Sequence, residues 1–260
     1  MSFQLNNRQA SLVHPGLLLD KLGLHHLLLA NEELSEELTK PRKSVFKAAS
    51  KAYSESRIDS LYNDFLDEWL ETVNSWGENA VALKARLEYR LAIGLGAAAA
   101  MNTGITLHHT YGVPVIPGSS VKGTCREAAR LNGAKAERII QLYGPEPAKG
   151  VSEGEVVFFD ALPLGLRPLE LDIITPHHQN YYAGKNSKYP EFYKAAPDVE
   201  DPVPVFFLTV PSGTEFLFVF LSRKGEKHDL AEVKRHWQWA CDEGFGAKTS
   251  RGYGWFTPLS

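Results

Sequence analysis

An α+β fold of β-α-β-β-α-β order is predicted for most of the chain by three observations. Short strand-like runs begin after Gly77 and alternate with glycine and proline punctuation. Two amphipathic stretches of helical period lie among them, each with a start and a stop. The first eighty residues are helical in texture instead. Residues 1–80 are therefore predicted to form a helical extension packed on a main domain, 81–260, that is ferredoxin-like (RRM-like) with loop insertions.

Within the extension, Leu61, Tyr62, Phe65, Leu66, Trp69, Leu70, Val73 and Trp76 recur every three or four residues opposite Asp64, Asp67, Glu68 and Glu71. That spacing predicts a helix over Ile58 to Trp76, stopped at Gly77, whose two indoles serve core packing rather than a ligand. Lys40-Pro-Arg-Lys43 breaks the earlier pattern and predicts an exposed connection. In the main domain, Leu87 to Leu95 alternates apolar with polar and predicts the first strand. Ser119 or Ser120 is the expected cap of a helix reaching Leu131 and ended by Asn132-Gly133. Glu155 to Leu162 contains Val156-Val-Phe-Phe159, and Pro204 to Leu221 holds two apolar runs separated by Pro211-Ser-Gly213, which predicts a β-hairpin. A second helix over Asp229 to Asp242 places Leu230, Val233, Trp237 and Cys241 on one face and stops at Gly244. Tyr253 to Thr257 supplies the closing strand. Pro190 to Pro204, with four prolines among acids, predicts a connection between strands. Internal repeats, low-complexity tracts and heptads do not occur.

Composition excludes several classes. With 43% hydrophobic and 23% charged residues in 260, the chain is neither disordered nor collagen-like. Leu17 to Leu29 carries Asp20, Lys21 and two histidines, so no membrane span is expected, and no signal peptide is expected before it. Cys125 and Cys241 are the only cysteines, which excludes a disulfide scaffold or a cysteine-rich zinc finger and makes a reducing, cytoplasmic setting the expectation. A pI near 6.3 argues against a globally basic nucleic-acid binder. The total hides an asymmetry: Lys84 to Arg138 holds eight basic residues against three acidic ones, whereas Asn31 to Glu78 holds six against eleven. Any polyanion site belongs to the later segment.

Gly94-x-Gly96-x-x-Ala99 has the spacing of a dinucleotide-binding turn, but Gly104 interrupts any helix and no acid stands between Glu88 and Glu127 to hold a ribose. Gly244-Phe-Gly246-Ala-Lys248-Thr-Ser-Arg251-Gly252-Tyr-Gly254 matches a Walker A loop only at Lys-Thr, because Ala247 and Asp242 occupy its glycine positions. Its own content is four glycines around Lys248, Thr249, Ser250 and Arg251, the ingredients of a phosphate-tracking loop, or equally of a plain glycine-rich turn with two solvated cations. Pro117-Gly-Ser-Ser-Val-Lys-Gly-Thr-Cys-Arg126 is similar in kind: Gly118, Ser119 and Ser120 begin a helix from which Lys122 and Arg126 project on one side. Lys122, Arg126, Lys248 and Arg251, with Gly118, Gly246 and Gly252, are expected to line one shared groove. His108-His109 and His177-His178 are the candidates for acid–base chemistry, yet lack metal-ligand spacing; no metal or cofactor is expected. Thr175 to Tyr182 places aromatics beside polar donors, which suits stacking on unpaired bases or ordinary packing.

Ile116-Pro-Gly-Ser-Ser-Val-Lys-Gly123 together with Gly244 to Gly254 strongly resembles the RAMP superfamily of CRISPR proteins. Gly94-Leu-Gly-Ala97, Thr103-Gly-Ile-Thr-Leu-His-His-Thr-Tyr-Gly-Val-Pro-Val115, Ile174-Thr-Pro-His-His178 and Pro202-Val-Pro-Val-Phe-Phe-Leu208 resemble the sixth-subunit family of the Cmr complex, the type III-B effector. The resemblance spans roughly Arg90 to Phe256 and leaves out the acidic first eighty residues. It implies a non-catalytic subunit that contacts CRISPR RNA near the 3′ end of the guide and caps an assembly of other Cmr subunits, guide and target RNA. The alternative it leaves open is a metal-independent endoribonuclease using one histidine from each pair, with Tyr181 or Lys122 near the scissile phosphate.

Overall fold

The computed structural model of the protein describes residues 14–17, 19, 46–47, 49–50, 58–97, 103–145, 153–175, 202 and 204–260. The elements used below are helices α1 (Ile58–Ser75), α2 (Gly118–Leu131), α3 (Ala136–Tyr143) and α4 (Lys227–Glu243), and strands β1 (Ala80–Leu87), β2 (Val156–Phe158), β3 (Leu162–Pro163), β4 (Glu170–Ile174), β5 (Val205–Thr209), β6 (Glu215–Ser222) and β7 (Phe256–Pro258). The main sheet runs β2-β6-β1-β7, every pair antiparallel, with β3 also on β6; β4 and β5 form a second, two-stranded sheet. Leaving out the inserted β3 to β5, the order β1, α2, β2, β6, α4, β7 is the split β-α-β-β-α-β arrangement, as the sequence predicts.

Alternation along β6 explains how the sheet is covered on both sides. Phe216, Phe218 and Phe220 are fully buried in the large core with Val121 and Cys125 of α2 and Val233, Trp237 and Cys241 of α4. Leu217 and Val219 turn to the opposite side and pack with Val73 and Trp69 of α1. Tyr62 anchors the same helix, its hydroxyl donating to the carbonyl of Pro163 at 2.9 Å beside Leu66, Val113, Val115 and Leu162. Beyond it Trp76 stacks on Phe159, and Trp69 meets both rings edge-on. The acids Asp64, Asp67, Glu68 and Glu71 all remain exposed, as an amphipathic helix demands.

Three expectations are corrected. The first strand is Ala80–Leu87, not 87–95: Leu83, Ala85 and Leu87 face in while Ala82, Lys84 and Arg86 face out, an alternation that three alanines disguise. Leu91 and Ala92 make only isolated bridges, to Val210 and Ala247. The expected hairpin at Pro211-Ser-Gly213 does not form, because β5 pairs with β4 and β6 with β1. Leu87 bonds both strands' connection instead, donating to Thr214 O at 2.8 Å and accepting from Gly213 N at 2.7 Å. Nor do Ser119 and Ser120 cap α2: Pro117 is the cap position, without a side-chain bond. Asp160 does that work from another segment, Oδ1 accepting the Gly118 N–H at 2.7 Å. Lys40 to Lys43, His177-His178, Tyr181 and most of Pro190 to Pro204 lie outside the described residues.

Candidate nucleic-acid interface

The glycine-rich segment is a single pinned turn. Two backbone bonds fix it to the chain just beyond β1, Ala247 N to Ala92 O at 2.8 Å and Gly254 N to Arg90 O at 2.8 Å, and a third, Phe245 N to Gly254 O at 2.9 Å, closes it on itself. Close approach requires glycine at two positions. A Cβ on Gly254 would stand 1.9 Å from Phe245 O, and one on Gly246 would stand 2.5 Å from Ala92 O. Between these, Thr249–Arg251 form a 3₁₀ turn with Ser250 and Arg251 exposed. Lys248 opens that turn at φ +62°, the sole non-glycine residue with positive φ among the described residues. Its ammonium lies 5.6 Å from the ring centre of Phe207 and 5.9 Å from that of Tyr253, contacts that help hold the strained backbone.

A charged latch ties this turn to the small sheet. Arg90 donates to Glu170 at 2.7 Å and Asp172 at 2.8 Å, and the Tyr253 hydroxyl donates to the same Asp172 oxygen at 2.5 Å. Burial alone would raise the Asp172 pKa, but the bonds from Tyr253, the Ile173 N–H and Arg90 outweigh it and hold the carboxyl below its ordinary range. Burial and that carboxylate together push the Tyr253 phenol up to about 12. The latch uses up Arg90, so its charge is internal to the fold.

The second basic segment is the start of α2. Gly118 is buried, its N–H is taken by Asp160, and a Cβ there would lie 2.2 Å from Phe158 O. The expected backbone cradle therefore loses Gly118, which is a packing glycine. Ser119 is exposed and Ser120 half-buried, its N–H bonded to Pro117 O at 2.8 Å. Lys122 is half-buried, and its ammonium pKa is lowered first by burial, then by the like charges of Arg126 and Arg223, with Glu153 opposing. Three cations thus crowd one place, with Arg223 paired to Glu153.

The register of the sheet sets Arg223 and the glycine-rich turn at opposite ends of it. Arg223 follows the end of β6 that pairs with the start of β1, since Ala80 faces Leu221. Phe256 to Pro258, just after the glycine-rich turn, face Ala85 to Leu87 at the other end of β1, and β2 and β7 are opposite edges of the sheet. Arg223, with Lys122 within electrostatic reach of it, therefore lies at one corner, and the glycine-rich turn that leads into β7 at the diagonally opposite one. Arg223, Asp160 and the Arg90, Asp172 and Tyr253 latch went unnoticed in the sequence; no local spacing marks them.

His108 is half-buried under α1, with Phe65 and Tyr111 rings 5.7 and 5.0 Å away, and its Nδ1 accepts the Thr110 N–H at 3.2 Å. Burial lowers its pKa, opposed by Asp160 and aided by His109 and His14. His109 is exposed. Among the described residues no group of three or more His, Cys, Asp or Glu side chains could hold a metal ion, and no helix is long and apolar enough to cross a membrane.

Comparison with known proteins agrees with this architecture. CRISPR system Cmr subunit Cmr6 of Pyrococcus furiosus is 30% identical, over 90% of this chain and 82% of its own length. A chain in the cryo-EM structure of the type III-B Cmr-beta complex bound to cognate target RNA superposes with a TM-score of 0.68 at 22% identity, over 86% of this chain and 73% of that one, a likeness of fold. The family model of the RAMP superfamily matches residues 84–257, which takes in both basic segments and the whole sheet apart from the first residues of β1 and the last of β7. The chain belongs to the RAMP superfamily, in the family of the CRISPR Cmr subunit Cmr6.

Proposed function

We propose that the chain is a non-catalytic, cytoplasmic RNA-holding subunit of a type III-B (Cmr) RNA-guided complex, contacting CRISPR RNA near the guide's 3′ end and capping an assembly that also binds target RNA. The kinship with Cmr6 supports the complex. The observation that carries the RNA contact is the pinned, exposed cationic turn at Lys248 to Arg251, whose backbone is held before any ligand arrives. The helix corner adds Lys122, Arg126 and Arg223. Such contacts read phosphates and leave sequence to base pairing, as suits a subunit that must accept every guide. The ribonuclease alternative gains no support from His108, whose ring is packed under α1 with one nitrogen already bonded.

Salt dependence tests the reading. For single strands each neutralised phosphate contributes about 0.7 to the slope of log affinity against log salt. Replacing Lys248 and Arg251 together by alanine flattens the slope for an unstructured RNA by roughly 0.7 to 1.4. An unchanged slope removes both residues from the footprint.

A further inference from the structure

Two large aromatic side chains stand out of the surface beside the glycine-rich turn. Tyr89 is 46% exposed and Trp255 42% exposed, although Phe207, Phe245 and Phe256 nearby are fully buried or nearly so. The backbone brings their segments together: the Glu88 N–H donates to Trp255 O at 2.9 Å, and Tyr89 follows Glu88 directly. On one flank, the Tyr89 ring meets Tyr253 edge-on at 5.5 Å, and Tyr253 in turn lies under the Lys248 ammonium. On the other flank, a Cβ built on Gly244 would meet both Trp255 Cδ1 at 2.7 Å and Thr249 Cγ2 at 3.0 Å, so the indole lies against the start of the cationic turn. The carboxylates of this rim are already bonded: Glu170 and Asp172 to Arg90, and Glu88 to the Thr257 hydroxyl at 2.6 Å. What the rim offers outward is two half-exposed aromatic rings, that of Tyr89 with the Arg90 guanidinium 5.7 Å from its centre, beside the turn that carries Lys248 and Arg251.

We propose that Tyr89 and Trp255 are stacking platforms for unpaired RNA bases, flanking the turn that holds the phosphates. The proposal rests on the RNA reading above and adds a base-dependent component to it. Rings beside cations suit a single strand, which presents flat π faces and phosphates in alternation. Stacking of this kind tolerates every base, because each has a π face, and so remains compatible with any guide sequence. An acidic protein surface would satisfy the cations but would leave the rings without a flat partner.

The test compares two probes on the full chain, an oligouridine and an abasic ribose-phosphate oligomer of equal length. The unaltered chain binds oligouridine more tightly, by about tenfold for each ring engaged. Tyr89→Ala and Trp255→Ala each lower oligouridine affinity on the order of tenfold and leave abasic affinity unchanged, while Trp255→Phe restores most of the difference. Thermal unfolding of each variant identifies any that lose the fold; Trp255→Phe keeps the test decisive there, since quenching of indole fluorescence by oligouridine and not by the abasic chain disappears in it. Equal affinity for the two probes in a chain that binds both overturns the stacking proposal alone. Failure of the unaltered chain to bind either probe at low salt overturns the RNA reading beneath it. Unchanged RNA affinity in Tyr89→Ala and Trp255→Ala, coupled with lost association with other Cmr subunits, assigns the rings to a protein interface and also overturns the proposal.

Discussion

The separation of the two basic corners makes a quantitative prediction about how their residues combine. β1 has eight residues, and seven rises of about 3.3 Å place its ends ~23 Å apart. Two unit charges at that distance interact by about 0.2 kcal/mol in water. A Debye length of about 8 Å at physiological salt removes nearly all of even that. Arg223→Ala and Arg251→Ala should therefore act independently on RNA binding, each flattening the salt slope by about 0.7. In a double-mutant cycle the coupling energy should stay within about 0.5 kcal/mol, the additivity expected of sites more than about 10 Å apart with no shared partner. Fluorescence anisotropy of a labelled, unstructured RNA across a salt series measures all four corners of the cycle. A coupling energy above about 1 kcal/mol would mean that both cations hold the same phosphate group, and the two-corner arrangement would be wrong.

Two further predictions concern the turn and its latch. Gly254→Ala forces a Cβ into the Phe245 carbonyl at 1.9 Å on a residue with φ +76°, whereas Gly252→Ala, at φ +86°, meets nothing within 4 Å. Thermal unfolding should therefore show a loss of about 3 kcal/mol for the first, roughly 6–12 °C, against about 1 kcal/mol, roughly 2–4 °C, for the second; equal losses would place the turn elsewhere. Asp172 has a depressed pKa in the folded chain, so its contribution is present above the unfolded value of about 3.9 and is lost as pH falls through the folded value. Asp172→Asn should cost about 2 kcal/mol at neutral pH, and unfolding midpoints of the two chains should converge below about pH 4; a constant gap down to pH 2 would remove the carboxylate charge from the latch.

Much of this architecture is legible in the sequence wherever large side chains carry the period. The helices at Ile58–Ser75, Gly118–Leu131 and Lys227–Glu243 fall within two residues of their expected bounds, because Trp69, Val121 and Trp237 mark one face unmistakably. β1 is hidden by Ala80, Ala82 and Ala85, whose small side chains barely register in an alternation pattern. The eight-residue α3, between Gly133 and Gly144, is too short to show a period. The hairpin error has a different origin: strand propensity identifies β5 and β6 as strands but says nothing of their partners. β6 pairs with a strand more than a hundred residues upstream. The same limit governs the site. Lys122, Arg126, Lys248 and Arg251 are visible as cations among glycines, but whether they meet depends on which ends of the sheet α2 and the last loop occupy, and no local spacing encodes that.

Covering the sheet on both sides decides where the proposed RNA contacts can lie. In an RRM-type domain the strands expose one open face on which bases stack. Here the corresponding face of β6 is filled by Trp69 and Val73 of α1 against Leu217 and Val219, and Tyr62 clamps that helix to Pro163. The part of the face that stays open, along β1 and β7, is polar: it carries Lys84, Arg86 paired with Glu215, and Thr257 bonded to Glu88. Exposed pairs of that kind contribute little stability, and they also leave no ring on which a base could stack. On the proposed RNA reading, recognition is thereby displaced from the sheet to its rim, where the loop after α4 and the first turns of α2 carry the cations. On that same proposal, a strand would meet small cationic clusters on this rim instead of one broad basic face, in keeping with a net charge of −3.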